Sequence, residues 1–156
     1  MRNISLLIRY IGTAYHGWQI QNNADTISAQ IENALEDLFK TKIRIIGCGR
    51  TDAGVHALAY VANFIVESDI PAERIPYALN ARLPKDIRVL SARDEALSFH
   101  SIINCKEKEY TYVFYFSEID DLFLLNRAFR VNHQLDVQAM GKASRLFVGV
   151  HDFASY

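Results

Sequence analysis

Residues 49–57 read GRTDAGVHA and place one carboxylate, Asp52, two positions after an arginine and between two glycines. Apolar runs flank this stretch at residues 43–46 and 59–66, and both are rich in β-branched and aromatic residues at strand length. The stretch is therefore predicted to be a loop that joins two strands. Its glycines let the backbone turn, so we expect the loop to present Asp52 in a fixed direction.

Two interpretations fit the residue types of this loop. Thr51 and Asp52 can cap a turn through hydrogen bonds between side chain and backbone, with Arg50 as a solvated neighbour. Alternatively, Asp52 is a reagent, and the adjacent Arg50 keeps its carboxyl group ionised. A turn alone requires neither an arginine at its start nor Val-His-Ala after it. The sequence therefore favours the second interpretation.

The elements around the loop follow the order strand, helix, strand, strand, helix, strand. Asp25 or Thr26 can cap the first helix, whose apolar residues recur at helical spacing. This order predicts an α+β, ferredoxin-like (RRM-like) βαββαβ unit, with an antiparallel sheet and helices on one face. The other face is then open to nucleic acid or a second layer. The predicted bounds are 4–10, 43–46, 59–66 and 87–92 for the strands, and 27–40 and about 71–81 for the helices.

A similar pattern begins again later in the chain. Residues 109–116 alternate as a strand with an aromatic stripe, which we interpret as core, and a helix is predicted to begin at Asp136. We therefore expect residues 1–95 to form the ferredoxin-like half that carries the loop, and residues 96–156 to start a second, similar half. One strand and one helix are only part of such a half, so we expect an amino-terminal fragment of a longer protein.

Composition limits the class of protein. The chain has 156 residues, of which 50% are hydrophobic and 22% charged, and this excludes a disordered chain. No apolar run has the length of a membrane span, and no secretion leader precedes the first strand, so a cytoplasmic location is expected. Cys48 and Cys105 have no metal or redox spacing, and no nucleotide-cofactor motif is present. We expect neither a metal nor a cofactor.

The charge pattern leaves RNA binding open. The net charge of −1 is unlike that of a strongly basic RNA-binding domain. Basic residues nevertheless gather in one stretch, where they can form a basic face or ordinary solvated surface. These residues are Arg74, Arg82, Lys85, Arg88 and Arg93.

Five sequence elements together resemble the TruA-type tRNA pseudouridine synthases. GRTDAGVHA is similar to the signature loop of that family. Residues 10–21 (YIGTAYHGWQIQ) and 79–89 (LNARLPKDIRV) are similar to its opening segment and to its Leu-Asn-x-x-Leu-Pro-x-Asp-Ile-x-Val element. Phe99-His100 and Tyr110-Thr111-Tyr112 fall where the family has Phe-His and Tyr-x-Tyr. The resemblance covers essentially the whole chain.

The resemblance implies an enzyme that isomerises uridine to pseudouridine in the anticodon stem-loop of tRNA, at tRNA nucleotides 38 to 40. It implies no cofactor and no metal, tRNA as partner and a homodimer. Asp52 matches the catalytic carboxylate, Arg50 the residue that helps expel the target base, and Tyr110 the tyrosine that stacks on the uracil. Attack by Asp52 on the sugar, attack on the base and proton abstraction all remain open. A basic partner residue is expected from the second half of the fold.

Further candidate RNA contacts are Arg82, Lys85 and His100, with solvated surface as the alternative. The chain departs from the family at Ile102 and Glu109, where basic residues are common, and at Ile11, where Asp is usual. The lost cations and the net charge motivate an alternative function, a non-catalytic RNA-binding module. A structural or small-molecule-binding ferredoxin-like domain is a third class, but it leaves the GRTDAGVHA loop unexplained.

Overall fold

A computed structural model describes residues 1–154 of the chain. Its contacts divide the chain into two compact units, Met1–Glu109 and Tyr110–Tyr156. Ser155 and Tyr156, at the end of the predicted second half, lie outside the described residues. Within residues 1–154, no helix is long and apolar enough to cross a membrane.

The first unit has the predicted ferredoxin-like topology. Its four strands form one antiparallel sheet in the order β2-β3-β1-β4, with β1 and β3 in the middle. A short 3-10 turn at Gly12–Ala14 follows the first strand, and another at Ala72–Arg74 directly precedes the second helix. The elements are β1 (Arg2–Tyr10), α1 (Ile27–Phe39), β2 (Ile46–Gly47), β3 (Ala57–Val66), α2 (Ile75–Asn80) and β4 (Ile87–Glu95).

The core lies between the sheet and the two helices. Alternate residues of β1 are at most 2% exposed, namely Ile4, Leu6, Ile8 and Tyr10. They share one cluster with the apolar stripes of α1 and α2, as expected when strands of period two face helices of period 3.6. Thr26 caps α1 by accepting the Ala29 N–H, and Lys40 ends that helix with φ of 56°.

The predicted strand at residues 43–46 is wrong in its bounds. Only Ile46 and Gly47 pair with β3, although Ile43 and Ile45 are buried as the apolar pattern suggested. The Ile45 N–H donates to Glu32 Oε1 of α1 at 3.1 Å. A helix side chain thus satisfies a backbone donor that would otherwise seek a neighbouring strand.

The face of the sheet opposite the helices is partly covered by residues 96–101. The Asn3 Nδ2 donates to the carbonyls of Ala96 and Phe99 at 3.0 and 2.9 Å. The Asn63 Nδ2 donates to Asn3 Oδ1 at 3.0 Å, and the Asn63 Oδ1 accepts the Ser101 N–H at 3.0 Å. Both asparagines are at most 2% exposed. This buried pair therefore fixes the chain after β4 to the centre of the sheet.

The second unit is small and has little interior. A parallel pair joins β5 (Phe114–Phe116) to β6 (Phe129–Val131), and α3 (Val137–Ser144) follows. Asp136 caps α3 by accepting the Ala139 N–H at 2.8 Å, which confirms the predicted helix start. No residue of α3 is buried.

The predicted strand at residues 109–116 is wrong over most of its length, because only its last three residues pair. Its aromatic stripe is not core in the described chain: Tyr110 and Tyr112 are 81% and 74% exposed. Among the described residues of this unit, no second apolar layer covers these rings. The interpretation of residues 96–156 as the start of a second similar half stays a prediction.

Replacing Asn63 by Ala is expected to lower the free energy of unfolding by about 2 kcal/mol or more, because Asn3 and the Ser101 N–H lose their buried partner. Urea denaturation measures the loss. Asn22→Ala, at an exposed position, is the control and should change stability by less than about 0.5 kcal/mol. Equal stability of the two variants would contradict the assigned role of the buried pair.

Candidate active site

Residues 48–56 form the loop between β2 and β3, as predicted. Arg50 and Asp52 are both exposed on it. Within residues 1–154, neither side chain forms a salt bridge or a side-chain hydrogen bond. In this part of the chain, the two side chains therefore form no ion pair with each other. The turn-capping interpretation also lacks support, because the Asp52 carboxylate caps no backbone N–H.

The backbone of this loop is bound to the segment that follows β1. The Trp18 N–H donates to the Thr51 carbonyl at 3.1 Å, and the Gly54 N–H donates to the Tyr15 carbonyl at 3.1 Å. Further along, the Gly12 N–H donates to Nδ1 of His56 at 3.0 Å. His56 is thus a hydrogen-bonding residue that holds the end of the loop, and its Nδ1 must be unprotonated to accept.

Two glycines allow the close approach of these backbones. Gly17 has φ of 82°, and a Cβ there would lie 2.3 Å from the Thr51 carbonyl oxygen. At Gly12, a Cβ would lie 1.9 Å from the Val55 carbonyl oxygen. No other residue fits either position without movement of the loop. The Tyr-Ile-Gly-Thr and Gly-Trp-Gln elements of the sequence are therefore packing partners of the loop.

The hydroxyl groups of two buried tyrosines form hydrogen bonds with the loop. The Tyr60 hydroxyl donates to the Gly49 carbonyl and accepts the Gly49 N–H. The Tyr10 hydroxyl bonds Thr51 Oγ1 at 3.0 Å. Burial raises the pKa of both tyrosines above the usual value, so the hydroxyls stay protonated. Trp18 packs on Tyr60 with ring centroids 4.2 Å apart and is only 4% exposed, which makes it a structural residue.

A third sequence element joins the same structure. Asp86 accepts the Tyr15 hydroxyl at 2.7 Å, and its backbone carbonyl accepts the Ile11 N–H at 2.9 Å. Burial, together with the bond to Asp86, raises the pKa of Tyr15. The segments at 10–21, 49–57 and 79–89 therefore meet in one network. Sequence reasoning did not single out Tyr15, Tyr60 or Asp86, because their hydroxyl and carboxylate contacts are set by the tertiary fold.

Among the described residues, the side chains of the other candidates take no part in the hydrogen bonds of this network. Arg82 donates from Nε to Asp37 at 2.7 Å and from Nη1 to the Ala78 carbonyl at 2.8 Å. Lys85 is exposed beside Asp86. His100 lies in the turn after β4, where its Nδ1 accepts the Ile102 N–H at 3.3 Å. Tyr110 is the first residue of the second unit.

The site offers an acceptor and a cation, but no metal centre. Across residues 1–154, no cluster of three or more His, Cys, Asp or Glu side chains is arranged to hold a metal ion. Cys48 and Cys105 are unpaired. The loop presents an exposed carboxylate on a backbone that is bonded at Gly49, Thr51 and Gly54, and the His56 side chain bonds the Gly12 N–H.

Gly17→Ala and Gly54→Ala form a matched pair that tests the close packing. Both glycines have φ near 80°, but a Cβ at Gly54 would meet nothing within 4 Å. Gly54→Ala should therefore cost only the left-handed backbone penalty, about 1–2 kcal/mol. Gly17→Ala should cost at least about 1 kcal/mol more, because it also clashes with Thr51. Urea denaturation of both variants measures the difference, and equal losses would contradict this packing.

Comparison with known proteins identifies the family. The family model described as tRNA pseudouridine synthase matches residues 6–103, which include the loop and the segments bonded to it. Over all 156 residues, the chain is 45% identical to tRNA pseudouridine synthase A of Acetivibrio thermocellus and 44% identical to that of Caldicellulosiruptor bescii. It is 40% identical to the protein of the same name from a Thermoanaerobacter species.

In each of these alignments the whole chain is covered, and it spans 64% of the length of the relative. The match includes both glycines that contact the loop, the loop itself and Asp86. From the family model and these relatives together, we conclude that the chain belongs to the tRNA pseudouridine synthase family.

Proposed function

We propose that this chain is the amino-terminal, catalytic part of a synthase that converts uridine to pseudouridine in the anticodon stem-loop of tRNA, with Asp52 as the catalytic carboxylate. One observation carries the proposal. Asp52 is exposed and unpaired among the described residues, while the backbone around it is bonded on both sides. A structural aspartate would instead use its carboxylate in the fold.

The reaction fits a site with one carboxylate. Pseudouridine forms when the bond between C1′ and N1 breaks and a bond between C1′ and carbon 5 of the uracil replaces it. Carbon 5 loses a proton and N1 gains one, so atoms and electrons balance without an oxidant or a cofactor. A carboxylate serves as nucleophile at the sugar, as nucleophile at the base or as proton acceptor. All three routes require Asp52 to be held in place, and its anchored loop does this.

Arg50 is the residue proposed to expel the target base. It lies two residues from Asp52, it is exposed, and no acid in the described chain holds it in a salt bridge. A target uridine inside a base stack must leave that stack before Asp52 can reach it, and unstacking costs a few kcal/mol. A cation beside the vacated position can replace part of the lost stacking energy.

The remaining parts of the proposal come from the family. Tyr110 is proposed to stack on the uracil, and a basic residue from the rest of the protein is proposed to complete the site. Lys85, His100 and Arg82 are proposed RNA contacts, although Arg82 must exchange its bond to Asp37 for a phosphate. The complete protein is proposed to act as a homodimer in the cytoplasm.

Replacing Asp52 by Ala in the full-length gene product should lower pseudouridine formation by at least about 10³-fold, because the reacting group is removed. Tritium release from carbon 5 of labelled uridine in tRNA measures the rate. Binding of tRNA should persist, because an exposed side chain without partners does not support the fold.

The control is Asp69→Ala, an exposed aspartate that follows the carboxyl end of β3, whereas the loop precedes its amino end. Its rate should match that of the parent. If Asp52→Ala keeps the parent rate, the carboxylate is not catalytic. If the parent itself binds tRNA without turnover, the protein is a non-catalytic RNA-binding module.

Arg50→Ala should lower the rate strongly on a stem-loop in which the target uridine is paired, and less on one in which a mismatch already frees it. The second substrate no longer requires the unstacking energy that Arg50 helps to supply. The ratio of kcat/KM between the two substrates is the measurement. Arg74→Ala, at an exposed arginine before α2, should leave this ratio unchanged. An equal loss on both substrates would assign Arg50 another role.

A further inference from the structure

A cavity lies beside the loop, on the side of Arg50. Its volume is about 330 Å³, at the small end of the range of about 300–1,000 Å³ for small-molecule sites. It is bounded by the segment after Trp18, by α1, by β2 and by Ile102. Gly49 and Arg50 line it, whereas Asp52 does not. A group in this cavity is therefore next to the loop without occupying the place of the reacting uracil.

The walls of the cavity suit a flat, partly apolar group with a charge at its edge. Ile20, Ile46 and Ile102 line it with aliphatic surface. Arg44 and Arg50, both exposed, bring two guanidinium groups to the same cavity. Aliphatic walls can hold a nucleobase, and guanidinium groups are matched to phosphate oxygens. The combination matches a nucleotide.

Glu32 brings a carboxylate to the wall of the cavity. Its side chain is only 16% exposed. Oε1 accepts the Ile45 N–H at 3.1 Å, and Oε2 contacts Arg44 Nη1 at 3.4 Å. Both contacts orient the carboxylate but leave it further acceptor capacity. An ionised carboxylate accepts hydrogen bonds and donates none. It thus favours a base edge with an amino group, as in adenine, cytosine and guanine, over uracil, whose one donor, the N3–H, lies between two carbonyl oxygens that a carboxylate repels.

We propose that this cavity binds one nucleotide of the RNA substrate other than the target uridine, with an amino-bearing base against Glu32 and its phosphate on Arg44. The proposal rests on the proposed function, because it places a neighbour of the target beside Arg50. The cavity then holds RNA on the far side of Arg50 from Asp52. Discrimination against uracil keeps the target base out of it.

The first test measures binding of AMP, CMP, GMP and UMP to the full-length gene product by NMR titration. At least one amino-bearing nucleotide should bind about fivefold or more tightly than UMP, since one good base contact discriminates at about that level or above. Glu32→Gln keeps an acceptor for the Ile45 N–H and adds a donor for uracil carbonyls. The preference should fall toward equality in that variant. Equal binding of all four nucleotides by the parent, or no binding, overturns the proposal.

The second test measures the affinity for tRNA as a function of salt concentration. Arg44→Gln should reduce the slope of log affinity against log salt by about 0.7 to 0.9, the effect of one phosphate contact. Lys42→Gln removes a charge two residues away that does not line the cavity, and it should leave the slope closer to that of the parent. Equal slopes for the parent and Arg44→Gln would assign the cavity to a free nucleotide and overturn the proposal.

The same preparations are assayed for pseudouridine formation, which separates the two proposals. If the parent converts uridine but shows no base preference, only the proposed nucleotide site in the cavity is overturned. A second outcome is also possible: the parent shows the base preference and Arg44→Gln reduces the salt slope, but the parent does not convert uridine. That outcome overturns the proposed function and keeps the cavity as an RNA contact.

Discussion

The site depends on the contact between two stretches of backbone that have no side chain between them. Gly17 lies against the Thr51 carbonyl, and Gly12 lies against the Val55 carbonyl. A Cβ at either glycine would overlap the loop, so the two backbones lie this close only because both residues are glycines. The bonds from Trp18 and to Tyr15 then lock the loop at that distance. Packing this tight has little freedom to adjust.

This contact lets a loop behave like a rigid element. Loops usually carry function at the expense of positional accuracy, whereas sites on strands and helices are held more firmly. Here Gly49 and Thr51 are anchored on either side of Arg50, Gly54 and His56 are anchored after Asp52, and among the described residues no anchor is the side chain of Arg50 or Asp52. The hydrogen bonds of the loop thus hold its backbone and leave the side chains of Arg50 and Asp52 exposed. Catalytic groups positioned in advance need less reorganisation during the reaction.

The sequence predicted the parts of the fold that depend on local pattern. The period of the apolar residues placed α1 within one residue of its end, and the alternation in β1 gave the central strand. The bounds of β2 failed because the Ile45 N–H is bonded to Glu32, a residue from a distant helix. The aromatic stripe in the second unit failed because pattern alone does not reveal whether a covering layer is present.

Sequence reasoning was similarly divided at the site. It singled out Asp52 and Arg50 from their place in a short motif, and their roles stay predictions. It missed Tyr60, which lies in β3 and whose hydroxyl donates to the Gly49 carbonyl. Among the described residues, Arg50 and Asp52 form no ion pair with each other, so the hypothesis that Arg50 keeps the Asp52 carboxyl group ionised gains no support from a direct contact.

The register of β1 also affects the loop, because Tyr10 at the end of this strand bonds Thr51. The pairing of β1 with β3 shifts between Ile8 and Tyr10, which sets where the last residue of β1 stands beneath the loop. A slip by one residue would bring Arg9 to that place and exchange a buried hydroxyl for a charge. The register of β1, which usually matters for stability alone, therefore also determines where the loop and its Asp52 lie on the sheet.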